Sequence, residues 1–166
     1  MSTHEYACQV SWRGSTGAGY DAYDRTHRVS FGGLQVRAGA VLTLSSDQAF
    51  RGDPTLLNPE QLLLAAAASC QLLSFLAVAA RARLDVTSYD DHASAAMPED
   101  DPPVRVTAIE LRPRVVVAAT RADGVAVTAE RVQHLLEVAH RECFIANSLT
   151  ASISVVGEVE LLTPRG

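Results

Sequence analysis

Asn58-Pro59-Glu60-Gln61-Leu62-Leu63-Leu64-Ala65-Ala66-Ala67-Ala68-Ser69-Cys70-Gln71-Leu72-Leu73-Ser74-Phe75-Leu76-Ala77 is the stretch on which the fold turns. Asn58 has the chemistry of an N-cap, Pro59 suits the first helical position, and Gln61 stands three residues after the cap, as in a capping box. No Gly or Pro interrupts the chain beyond Pro59 until well past Ala82, so a helix is expected from Pro59 to about Arg83, roughly 36 Å at 1.5 Å per residue. Between Leu62 and Ala80 only Ser69, Gln71 and Ser74 are polar. Such a helix is apolar on nearly every face and must be covered on nearly every face. Its length would also allow a membrane span. Its alanine-rich composition, its cap and the surrounding strand-like segments favour a helix buried in a protein core, so no membrane association is expected.

Outward from this helix the chain alternates. Extended segments are expected at Tyr6 to Trp12, Arg28 to Phe31 and Ala40 to Leu44, with a Gly-rich turn from Gly14 to Gly19 and a hairpin turn at Gly32-Gly33. A loop from Ser45 to Leu57 carries Arg51-Gly52-Asp53-Pro54. Past the long helix, strands are expected over Asp85 to Ala96 and Val104 to Ala118. A second helix should start at the Thr128 cap and run from Ala129 to about Cys143, with Val132, Leu135, Leu136 and Ala139 as its apolar stripe. Ala151 to Leu161 closes the chain as a strand. No repeat or linker divides this order, which predicts one α+β domain over residues 1–166. Too few strands are present to wrap the long helix, and a second copy of the chain is the simplest cover for its open side.

Of the 166 residues 48% are hydrophobic and 20% charged, a globular composition. The net charge of -5 comes with scattered arginines and no basic block, which argues against a nucleic-acid partner. The start Met1-Ser2-Thr3-His4-Glu5-Tyr6 lacks a secretory pattern, so a cytoplasmic location is expected. In that compartment cysteines are more often free, catalytic or metal-binding than structural disulfides.

Cys70, in mid-helix, reads either as a small core residue or as a nucleophile. Cys143, at the far end of the second helix, raises the second reading, because cysteines on two packed helices can face each other. Cys8 on an early strand reads as structural. A nucleophilic thiol needs its pKa lowered, and Cys70 lies three turns from the helix N-terminus, beyond reach of the dipole. Arg51 is the expected cation, oriented by Glu60 through a bidentate pair. Glu60 precedes Cys70 by ten residues, roughly 15 Å along one helix, so it would serve the Cys70 of a partner chain. His134, His140, Glu142 and Cys143 form a rival reading as zinc ligands, but His134 is offset from His140 and Cys143, which share a helical face, and no close-spaced cysteine pair completes a set. No metal or cofactor is expected.

These residues resemble the OsmC/Ohr family, osmotically inducible protein C and the organic hydroperoxide resistance proteins. The resemblance rests on Asn58-Pro59-Glu60-Gln61-Leu62-Leu63 leading to Ala67-Ala68-Ser69-Cys70, and on His140-Arg141-Glu142-Cys143-Phe144-Ile145-Ala146-Asn147-Ser148 before a final strand. It implies an OsmC-like α+β fold, with two central helices wrapped by antiparallel sheets in an intertwined homodimer whose active sites lie at the interface. It implies a thiol-dependent peroxidase for organic hydroperoxides, with hydrogen peroxide a further candidate. Cys70 then matches the peroxidatic cysteine, Cys143 the resolving cysteine, and Glu60 the glutamate of an arginine–glutamate pair. The activating arginine is Arg51 in the OsmC-type pattern, with Arg13 the alternative nearer the Ohr-type position. A dithiol, such as a lipoyl protein, is the implied reductant. The competing expectation is a non-catalytic member that senses redox state or binds a hydrophobic ligand, using an apolar wall such as Phe50, Leu63, Leu73 and Phe144. A Cys70–Cys143 bridge requires the two Cα atoms within about 7 Å.

Overall fold

The computed structural model of the chain describes residues 3–17, 19–32 and 40–163. The chain divides into two compact units, Met1–Leu62 and Leu63–Gly166.

In the first unit β1 (Ala7–Ser11), β2 (His27–Gly32) and β3 (Val41–Leu44) form an antiparallel sheet in that order. The expected strands are all present, and the turn expected after Gly32 lies outside the described residues. The loop after β3 holds one 3-10 turn at Gln48–Phe50, capped by Asp47 and closed by Arg51 in the left-handed region at φ 64°. Gly52 comes next because a Cβ there would lie 1.6 Å from the Ser46 carbonyl oxygen. The predicted capping box is formed in both directions. Gln61 N donates to Asn58 Oδ1 at 2.8 Å, and Asn58 N donates to Gln61 Oε1 at 3.0 Å.

That box opens α1 (Pro59–Arg81), whose body belongs to the second unit. There each of the three long strands expected from sequence is broken in two. The pieces are β4 (Val86–Asp91) and β5 (Ser94–Ala96), β6 (Ala108–Leu111) and β7 (Pro113–Ala118), and β8 (Ser152–Val155) and β9 (Glu158–Leu162). One sheet has the order β4-β7-β9 and the other β5-β6-β8. The break between β6 and β7 has a local cause. Arg112 N leaves the ladder to donate to Asp91 Oδ1 at 2.7 Å, and Pro113 has no N–H to offer. The break between β8 and β9 falls at Val156-Gly157, where a Cβ on Gly157 would meet Leu136 Cδ1 at 2.5 Å.

Both sheets are mixed. β4 and β5 pair antiparallel with β7 and β6, whereas β9 and β8 run parallel to them. The parallel pairing follows from α2 (Ala129–Glu142), the crossover that returns the chain to the same end of the sheets. Thr128 caps α2 as expected, accepting from Arg131 N at 3.2 Å.

Two cores result. Phe75, Val78 and Ala79 of α1 pack with Val115 and Val117 of β7 and with Val132, Leu135, Leu136 and Ala139 of α2. Ala67 packs with Ile109 and Leu111 of β6. Gln71 is fully buried and ties the helices together, donating from Nε2 to the Leu136 carbonyl at 3.2 Å. The rest of α1 stays open. Ala65, Ala66, Ser69, Leu73, Leu76, Ala77 and Ala80 are exposed and share one side of the helix. Only 28% of its most apolar window is buried, and by length and hydropathy alone it could cross a membrane. Gly157→Ala should destabilise the fold by about 1–3 kcal/mol through the forced shift of Leu136, read as a lower denaturation midpoint with an unchanged slope.

Candidate functional site

Cys70 lies on α1 at the edge of the exposed side, partly buried, and Cys143 is the C-cap of α2, 1% exposed. The end of α2 brings them together. After Cys143 the chain turns through Phe144 and Ile145 into a second 3-10 turn at Ala146–Ser148. In this turn Ile145 N donates to the Cys70 sulfur at 3.4 Å, and Ala146 N donates to the Cys143 sulfur at 3.5 Å. Two consecutive amides of one turn thus hold the two sulfurs.

The two thiols are driven apart electrostatically. Burial opposes ionisation of Cys70, but hydrogen bonds from Ile145 N, the Cys143 thiol, Phe144 N and Ser74 outweigh it and hold its pKa below the ordinary thiol value. Cys143 is pushed up, first by burial and then by its donation to Cys70 and the charge there, against the pull of the Ala146 and Ile145 amides. The Tyr89 phenol is pushed well above its ordinary value, chiefly by burial and further by the charge of Asp91. Of the two thiols, Cys70 is the more readily ionised and Cys143 the less.

A pocket of about 460 Å³ opens onto Cys70. Leu73, Ala77 and Phe144 are its apolar walls, Ser74 sits beside the sulfur, and the Arg81–Glu142 ion pair, at 2.5 Å, closes the far end. Leu73 and Phe144 of the expected apolar wall are therefore present. Leu63 is not among the lining residues, and Phe50 belongs to the first unit. Arg51, also in the first unit, pairs with Asp21 at 3.0 Å rather than with Glu60, and both partners are largely exposed. Glu60 sits in the first turn of α1, where the helix dipole favours an acid. Cys8 is exposed on β1. Among the described residues no three His, Cys, Asp or Glu side chains are grouped to hold a metal.

Some of the site was overlooked in sequence. Ser74 and Arg81 come four and eleven residues after Cys70, spacings that return to the same helical face, and were open to reading. The amides of Phe144 and Ile145 carry no side-chain signal at all.

A family model described as OsmC-like protein matches residues 52–157, more than half of the chain. The chain belongs to the OsmC-like protein family. No curated protein matches it at a significant level. Among solved structures, an OsmC-like protein of unknown function from Vibrio cholerae O1 biovar eltor is 27% identical at a TM-score of 0.77, over 96% of this chain and 100% of that one. An organic hydroperoxide resistance protein from Elizabethkingia anophelis is 17% identical with a TM-score of 0.68, covering 97% and 99%. Another from Legionella pneumophila, also described as a predicted redox protein, is 15% identical with a TM-score of 0.63, covering 96% and 99%. These last two share the OsmC-like fold with the chain.

The opposite shifts give a direct test. In a Cys8→Ser background the OsmC-like chain should show two thiol titrations by ultraviolet thiolate absorbance, Cys70 below and Cys143 above an ordinary thiol. Cys143→Ala removes a donor to Cys70 and should move the Cys70 titration upward. Alkylation of Cys70 should accordingly fade as pH drops through its lowered pKa.

Proposed function

We propose that the protein is a cysteine-based hydroperoxide reductase. The observation that carries this reading is that consecutive amides of one turn, Ile145 N and Ala146 N, hold the Cys70 and Cys143 sulfurs, with Cys70 opening onto a pocket with apolar walls. The Cys70 thiolate attacks the outer oxygen of ROOH. The O–O bond breaks, Cys70 becomes a sulfenic acid, and the alkoxide takes a proton to leave as ROH. The Cys143 thiol then displaces water from the sulfenic acid and forms the Cys70–Cys143 disulfide. A dithiol, such as a lipoyl group, reopens it by exchange and is itself oxidised to a disulfide. No metal or bound cofactor takes part in this cycle.

In this reading the exposed side of α1 is covered by a second copy in a homodimer, and the protein works in the cytoplasm. Arg51, oriented by Glu60 of a second chain, adds a cation to the amide donors already facing Cys70. Leu73, Ala77 and Phe144 favour the alkyl group of an organic hydroperoxide over hydrogen peroxide, since each buried CH₂ is worth about 0.8 kcal/mol.

Mixing the reduced protein with cumene hydroperoxide, in the Cys8→Ser background, should remove two thiols per chain. Cys70→Ser should lose none, and Cys143→Ser should lose one and accumulate a sulfenic acid that dimedone traps. Retention of both thiols would leave a non-catalytic role, redox sensing or binding of a hydrophobic ligand in the same pocket, as the better account.

A further inference from the structure

The first unit carries a second, open pocket of about 420 Å³ that the peroxide chemistry does not use. Val10, Trp12 and Tyr23 give it apolar walls, and Arg25, His27 and Ser45 present polar groups to it. Arg25 is only 9% exposed. Its guanidinium carbon lies 3.9 Å from the centre of the Tyr23 ring and 4.8 Å from that of Tyr20. Nη1 donates to the Tyr23 carbonyl at 2.8 Å and Nη2 to the Tyr20 carbonyl at 2.6 Å. Two rings and two carbonyls thus hold the group in one orientation before any ligand arrives.

What Arg25 lacks is a counter-charge. Among the described residues no carboxylate lies within ion-pair distance of it, and no Asp or Glu occurs outside them. The nearby acids are engaged elsewhere. Asp21 pairs with Arg51, Asp24 accepts from Thr26 N, Asp47 from Ala49 N and Asn58 Nδ2, and Asp53 from Thr55. Ring faces and carbonyls are dipoles, which stabilise a cation without neutralising it. A buried charge left in that state is expensive, and an incoming anion would relieve it.

We propose that this pocket binds a small organic anion, a carboxylate carried on a flat apolar body. Arg25 keeps Nε–H and one N–H on each terminal nitrogen for a planar, two-oxygen acceptor. Ser45 Oγ accepts from Asp53 N at 3.0 Å and so retains its own hydrogen to donate. The indole of Trp12 and the ring of Tyr23 pack edge to face on each other, 6.4 Å apart at 90°, and form one continuous aromatic wall for an apolar body. The volume is in the range of small-ligand sites.

Trp12 is the only tryptophan, so its emission reports on this pocket alone. The full chain is titrated with benzoate and, as the neutral analogue, with benzyl alcohol. Benzoate should give a saturable emission change, and benzyl alcohol should bind roughly tenfold or more weakly, as expected for a lost charge-assisted hydrogen bond. Arg25→Met should lose the benzoate response by a similar factor, while Arg105→Met, which removes an equal charge elsewhere, should retain it. No emission change with benzoate, equal binding of the two probes, or full benzoate affinity in Arg25→Met would each overturn the proposal. Should Arg25→Met not fold, as judged by its thermal melt, the comparison of the two probes on the unaltered chain still decides. No thiol is measured, so the outcome is independent of the peroxidase reading.

Discussion

A 23-residue helix that is apolar on all sides cannot stand in water on its own, and the second unit is organised by covering α1. One flat sheet would meet only one side of it. The strands solve this by breaking at Asp91, at Arg112-Pro113 and at Val156-Gly157, so that one half of each joins the sheet β4-β7-β9 and the other half the sheet β5-β6-β8. The C-terminal half of α1 then packs with β7 and α2, and Ala67 nearer its start with β6. The side that remains, from Ala65 to Ala80, stays exposed.

The same constraint sets the chemistry of Cys70. A thiol in the middle of a helix gains nothing from the helix ends, and its burial works against charge. Relief comes from across the core. Because α2 stops at Cys143, the amides of Phe144 and Ile145 are released from helical pairing and become available to the Cys70 sulfur. The cap that ends α2 is itself the second thiol, so the turn that lowers one pKa also carries the other thiol, whose own pKa burial raises. Activation and disulfide partner come from one turn of chain.

Arginine is used in three ways in this protein. Arg51 is exposed and pairs with Asp21, Arg81 pairs with Glu142 at the edge of the Cys70 pocket, and Arg25 is buried with no acid at ion-pair distance among the described residues. Composition treats the three alike, and only their surroundings separate a solvated pair from a desolvated, preorganised charge.

Short-range signals in the sequence determined the helices and their starts. Asn58 and Gln61 sit at fixed spacing within one turn, and so do Thr128 and the apolar stripe of α2, so local hydrogen bonding and period were enough. The residue types Cys70 and Cys143, and the family motif around them, were likewise legible. The broken strands, the parallel pairing of β8 and β9, the amide donors to Cys70 and the isolation of Arg25 were not. Each depends on groups far apart in the chain meeting, as when Asp91 takes the amide of Arg112 or Ile145 faces Cys70, 75 residues away. Backbone amides look the same at every position of a sequence, and a charge shows its partner only once the chain has folded around it.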